Sequence, residues 1–167
     1  MNNRQSLYLL WATILNQSQS AEKVLKNTFE LFKRLNLLSN FDKEYKNINY
    51  ENIEKGMATK PCLHRFPRNM SVNIWDSVCM INEKYKGNPK EVFAKSKGNV
   101  DIKTRLMEFR GIGEHKADTA IIILKIFEGN KGLNGVFDAK CTELYKTIGQ
   151  EIQILDKLGD IESDYDR

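Results

Sequence analysis

The sequence predicts an all-α fold. Three observations lead there: apolar residues recur every three or four positions, strand-type alternation is nearly absent, and glycine and proline interrupt the pattern only at a few places. With 167 residues, 41% of them apolar, and only 3 prolines, the chain reads as one domain. A domain of this size buries roughly two-thirds of its unfolded surface and needs no disulfide or metal to hold it together.

The elements follow in order. Leu7, Leu10, Trp11, Ile14 and Leu15 mark a first helix, and Val24, Leu25, Thr28, Phe29, Phe32 and Leu35 a second. Residues 16–20 form a polar joint between them. Ser20 is placed to cap the second helix, its hydroxyl accepting from a free N–H of the first turn. Residues 36–49 are polar and aromatic without a clear period, and a short helix over 50–57 ends near Pro61. Met70, Ile74, Trp75, Val78 and Ile81 predict a long helix over 68–85, stopped by Gly87-Asn88-Pro89. Pro89 opens a short helix reaching Lys95, and Asp101 is expected to cap the next, which presents Ile102, Leu106 and Phe109. Residues 117–127 are apolar on nearly every side, which predicts a helix at the centre of the domain. A glycine-rich connector over 129–135 leads to a last helix from Ala139, with Asp138 at its cap position.

Cys62, Cys79 and Cys141 are odd in number, far apart and without a CxxC pair, which argues against a zinc site and a disulfide framework. A reduced, cytoplasmic setting is the simplest expectation. No apolar run approaches the roughly 18 residues of a membrane span, no secretory signal pattern opens the chain, and no membrane partner is expected. The net charge of +4 is unevenly spread. From Asp156 onward the balance is −3, which leaves +7 on residues 1–155. Residues 1–155 are accordingly read as one helical domain and 156–167 as an acidic, flexible tail. A basic body is compatible with a polyanionic partner.

The most informative stretch is Leu106-Met107-Glu108-Phe109-Arg110-Gly111-Ile112-Gly113-Glu114-His115-Lys116-Ala117-Asp118-Thr119-Ala120. Glycines at i and i+2 between two helices permit a tight hairpin whose N–H groups point outward beside the positive end of the second helix. Such a cluster of donors can seat a phosphate oxygen. A plain corner between two packed helices fits the same GxG, with Ile112 turned inward to pin them.

Gly111, Ile112, Gly113, Ala117 and Asp118 resemble the helix-hairpin-helix motif of the base-excision DNA glycosylases, the superfamily that includes endonuclease III, with Arg110 where a proline is usual. Two further segments match in order. Leu15-Asn16-Gln17-Ser18-Gln19 is similar to the family's joint between its first two barrel helices, and Val136-Phe137-Asp138-Ala139-Lys140 to the segment that carries its catalytic aspartate. The resemblance implies a shortened endonuclease III-like helical barrel with its C-terminal lobe reduced or missing. The activity implied is hydrolysis of the N-glycosidic bond of a damaged or mismatched base flipped out of double-stranded DNA.

In that setting Asp138 would be the catalytic carboxylate, stabilising oxocarbenium charge and orienting water; as a residue at a helix start it would equally serve as an N-cap. Gly111, Gly113 and the N–H groups at Glu114 and His115 would hold a phosphate, with Arg110 and Lys116 adding charge. Gln17, with Asn16 beside it, would fill the vacated stack, or the two simply end the first helix. Bifunctional members carry a nucleophilic lysine where this chain has His115. Lys116, one residue later, is turned by about 100° and is expected to miss the same cleft, which favours a monofunctional enzyme. His115 would face the pocket or remain a solvated residue. Tyr8, Trp11, Trp75 and Phe137 would stack on a flipped base or belong to the core.

Nothing in the chain supplies the four-cysteine iron–sulfur loop of some members, so no metal or cofactor is expected. A protein partner or a second copy would complete the missing lobe. The alternative is a catalytically inactive or partner-dependent helix-hairpin-helix DNA-binding protein. The segment over 63–67, Leu-His-Arg-Phe-Pro, carries no assigned role.

Overall fold

The computed structural model describes residues 1–95 and 99–127. Among them the chain is all-helical, without a strand: α1 (Asn3–Leu15), α2 (Ala21–Arg34), α3 (Phe41–Lys46), α4 (Tyr50–Ala58), α5 (Pro67–Lys84), a 3-10 turn (Pro89–Phe93), α6 (Asn99–Met107) and α7 (Glu114–Phe127). No described helix is long and apolar enough to cross a membrane. The domain boundary at residue 155, the tail over 156–167, Phe137 and the aspartate segment around Asp138 lie outside the described residues.

The centre of the fold is α1, whereas the apolar run predicts the helix over 117–127 there. Every residue from Gln5 to Leu15 is buried, and the helix packs against α2, α5, α7 and the 3-10 turn. Small polar residues tolerate this position when they bond close by. Thr13 Oγ1 donates to the Leu9 carbonyl at 2.7 Å, and Gln5 closes a capping box with Asn2. α7 keeps Asp118 and His115 outside and buries Ala117, Ala120, Ile121, Ile123 and Leu124.

Trp11 and Tyr8 are core side chains, which excludes them as stacking partners for a ligand. Trp11 Nε1 donates to Ser77 Oγ at 3.1 Å and Tyr8 OH to the Leu25 carbonyl at 3.0 Å. Both rings meet Phe32 edge-on, with centroids 5.2 and 5.5 Å away. Trp75 is half-buried against the same core.

Local signals set most boundaries. Ser20 Oγ accepts from Lys23 N and Asn49 Oδ1 from Asn52 N, capping α2 and α4. Pro67 occupies the first turn of α5. Asp101 differs from expectation: it lies inside the first turn of α6, where it pairs with Arg105 at 3.2 Å. Arg105 in turn donates to the carbonyls of Glu91 and Ala94, tying α6 to the 3-10 turn, which ends at Phe93 and does not reach Lys95.

Candidate nucleic-acid interface

The hairpin between α6 and α7 is closed by its own backbone. Phe109 N donates to the Leu106 carbonyl at 3.2 Å and Ile112 N to the Phe109 carbonyl at 3.1 Å. Phe109 and Ile112 are both buried and pin the two helices, as the spacing predicts. The two glycines have different reasons for being there. Gly111 has φ +87°, and a Cβ on it would stand 2.7 Å from Asn73 Nδ2 on α5. Gly113 has no such conformation, and a Cβ there would meet nothing within 4 Å. Its backbone simply faces open space.

Beyond Gly113, the N–H of Ala117 makes the first intrahelical bond, to the Gly113 carbonyl at 3.0 Å. The N–H groups of Gly113, Glu114, His115 and Lys116 find no acceptor among the described residues, as the first turn of an α-helix dictates. Gly113, Glu114 and His115 are exposed. These four donors, without acceptors among the described residues, lie at the positive end of a 14-residue helix, where a negative charge is favoured.

The side chains around it carry both signs. Arg110 is exposed and shares its charge with Asp76, 3.2 Å away. Glu114 places a carboxylate at the helix start, but Lys103 from α6 answers it at 2.9 Å and answers Asp118 at 2.8 Å. Both carboxylates hold the Lys103 ammonium charged and push its pKa up.

The joint between α1 and α2 lies against the same corner. Gln17 N donates to the Leu15 carbonyl at 2.7 Å across Asn16, whose φ −72° and ψ 71° make an inverse γ-turn. Ser18 follows with φ +55°, and Gln17 projects to solvent while Asn16 is half-buried. The 63–67 segment, unassigned in the sequence, buttresses this turn. Buried His64 contacts the Gln17 carbonyl through Nε2 at 3.1 Å and accepts from Phe66 N through Nδ1 at 3.0 Å, so the proton sits on Nε2. Burial, with the nearby charges of Lys116 and Lys23, pushes the His64 pKa below its ordinary value. Asn27 Nδ2 bridges Gln19 Oε1 at 3.1 Å and the Leu63 carbonyl at 2.5 Å.

Lys116 joins the two parts. Its Nζ donates to the Gly111 carbonyl at 2.8 Å and to the Ile14 carbonyl at 3.0 Å. The sequence expectation turns Lys116 away from the nucleophile's cleft and leaves His115 either facing it or solvated; the structure has His115 exposed and Lys116 half-buried beside a small cleft between α1, α2 and α7. Helical spacing explains the difference. Lys116, Thr119 and Ile123 share the face of α7 that lies on α1, whereas His115 falls about 100° away. Burial lowers the Lys116 pKa. The cleft, lined also by Tyr8, Ala12, Thr13 and Asn16, encloses about 60 Å³, which is room for a few waters.

Among the described residues no group of three or more metal-binding side chains converges. Comparison of the chain with protein-family models, with curated proteins and with solved structures found no significant match.

Proposed function

We propose that the protein binds double-stranded DNA through the α6–α7 hairpin and the α1–α2 joint, and acts as a monofunctional base-excision glycosylase on a shortened endonuclease III-like barrel. The observation that carries this reading is the start of α7: four N–H groups without acceptors among the described residues, beside Gly113, whose missing side chain the packing of those residues does not require. A phosphate oxygen supplies both the acceptor and the close approach. Gln17, exposed at the tip of the joint, is the residue assigned to the gap left by a flipped base.

In this reading the base departs with the electrons of the N-glycosidic bond, water adds its oxygen to the sugar carbon, and the proton that water loses ends on the departed base. The Asp138 carboxylate stabilises the positive charge on the sugar and orients that water. No lysine attacks: His115 occupies the position of the family's nucleophile, and the Lys116 ammonium is committed to two carbonyls.

The test is base release from a panel of lesion-bearing duplexes. Wild type is expected to release one of the bases and Asp138→Asn to lose that release, with no adduct trapped by borohydride; equal inactivity of both proteins on every lesion rejects the enzymatic reading. The small volume of the cleft at Lys116, about 60 Å³ between the hairpin and the joint, favours one second reading, a DNA-binding protein without chemistry. It predicts duplex binding that Gly113→Val weakens and Asp138→Asn leaves unchanged.

A further inference from the structure

We propose that Lys116 is a positioning residue, a bracket that holds the phosphate-facing hairpin and the Gln17 joint at one fixed separation. This rests on the reading of hairpin and joint as two contacts on one duplex. The two carbonyls it joins belong to different elements: Ile14 lies in the last turn of α1, just ahead of Asn16 and Gln17, and Gly111 lies in the hairpin, just ahead of Gly113. The Ile14 carbonyl lies where a helix has no donor of its own to offer, at the negative end of the α1 dipole.

A lysine is a costly choice at this place. Its amine is half-buried, and among the described residues it forms no ion pair. A methionine of similar length would fill the apolar side of the cleft without desolvating a charge. What methionine cannot do is donate to two main-chain carbonyls at once. Around the bracket the cleft between α1 and α7 is lined by Ala12, Thr119 and Ile123, none of which donates to either carbonyl. His64 in turn holds the Gln17 carbonyl. The joint is thus fixed at two successive points, on Ile14 by Lys116 and on Gln17 by His64.

The experiment compares full-length wild type, Lys116→Met and Lys116→Arg on two duplexes of one sequence, one fully paired and one with a central abasic site. Hydrogen exchange is followed in parallel over 14–20 and 109–113. Wild type is expected to prefer the abasic duplex. Lys116→Met should melt close to wild type, and the loss of one positive charge beside the hairpin should weaken its binding to both duplexes alike, so the ratio of the two affinities is the readout. Losing two charge-assisted hydrogen bonds should cut the abasic preference about tenfold. Exchange should rise at the joint and the hairpin together while α5 stays protected, and Lys116→Arg, which keeps the donors, should retain the preference.

A Lys116→Met protein with wild-type preference and wild-type exchange overturns the proposal. A wild-type protein that binds neither duplex removes the DNA reading itself, and faster exchange in Lys116→Met then marks the residue as a structural clamp alone. Should Lys116→Met fail to fold, Lys116→Gln, which keeps a donor but is too short to span both carbonyls, gives the same comparison.

Discussion

Gly111 and Asn73 meet where the hairpin crosses α5, with no room between the glycine and the asparagine amide for a Cβ. The relationship separates the two glycines of the hairpin by cause. Gly111→Ala forces a side chain into the left-handed region, which costs about 1–2 kcal/mol even if the Asn73 amide turns aside. Gly113→Ala meets no atom and has no such backbone demand, so its stability should stay close to wild type. Thermal melts of the two variants check the contrast. Duplex affinity should invert it, because a methyl group at Gly113 stands between the free N–H groups and a phosphate.

His64 makes the fold sensitive to acid. The neutral ring donates from Nε2 to Gln17 and accepts at Nδ1 from Phe66 N; a second proton, on Nδ1, would face that N–H. The folded pKa is depressed below the ordinary value of 6.5, so the unfolded chain binds the proton more readily. Stability from this residue is therefore fully present above pH 6.5 and is lost as pH falls from there through the folded pKa. Melting temperature should be level above neutrality and decline in the acid range. His64→Gln should flatten that decline while lowering stability at neutral pH by about 1–2 kcal/mol for the altered hydrogen bonds.

What was legible in the sequence follows from how each feature is encoded. α1, α2, α4 and α5 lie close to their expected bounds because their apolar periods are long enough to read and, for α2, Ser20 marks the start. The six residues of α3 span fewer than two turns, too short for a period to emerge. The centrality of α1 was hidden because Gln5, Ser6 and Thr13 read as a polar face although the helix is buried all round. The hairpin glycines were visible; the partners of Lys116 and His64 were not. Their acceptors at Ile14, Gly111 and Gln17 are main-chain carbonyls, which every residue carries, so no residue type announces the contact.

In the proposed DNA-binding reading, Arg110 and Asp76 set the strength of the charge that would face a duplex. Arg110→Ala should weaken binding uniformly across sequences and reduce the slope of log affinity against log salt by about 1, as expected for the loss of one phosphate contact. Asp76→Ala should have the opposite effect, freeing the guanidinium from its partner 3.2 Å away. Titrations of each variant at several salt concentrations separate a phosphate contact from a surface ion pair. An unchanged slope in Arg110→Ala places the bound strand elsewhere on the hairpin.

Lys103 carries a prediction of a different kind, because its role is to neutralise rather than to touch. It stands between Glu114 and Asp118, two carboxylates at the N-terminal end of α7. Surface ion pairs of this type contribute little to stability, so Lys103→Met should melt close to wild type. Its effect on DNA should be larger, since two uncompensated carboxylates would then repel a phosphate at the helix start. Lys103→Met is expected to bind the duplex more weakly than wild type, and adding Asp118→Asn should restore part of the affinity. High salt should narrow the gap between the variants, as screening removes the repulsion. A Lys103→Met protein with wild-type affinity at low salt would show that bound phosphate avoids the start of α7, and the hairpin would lose its place in the interface.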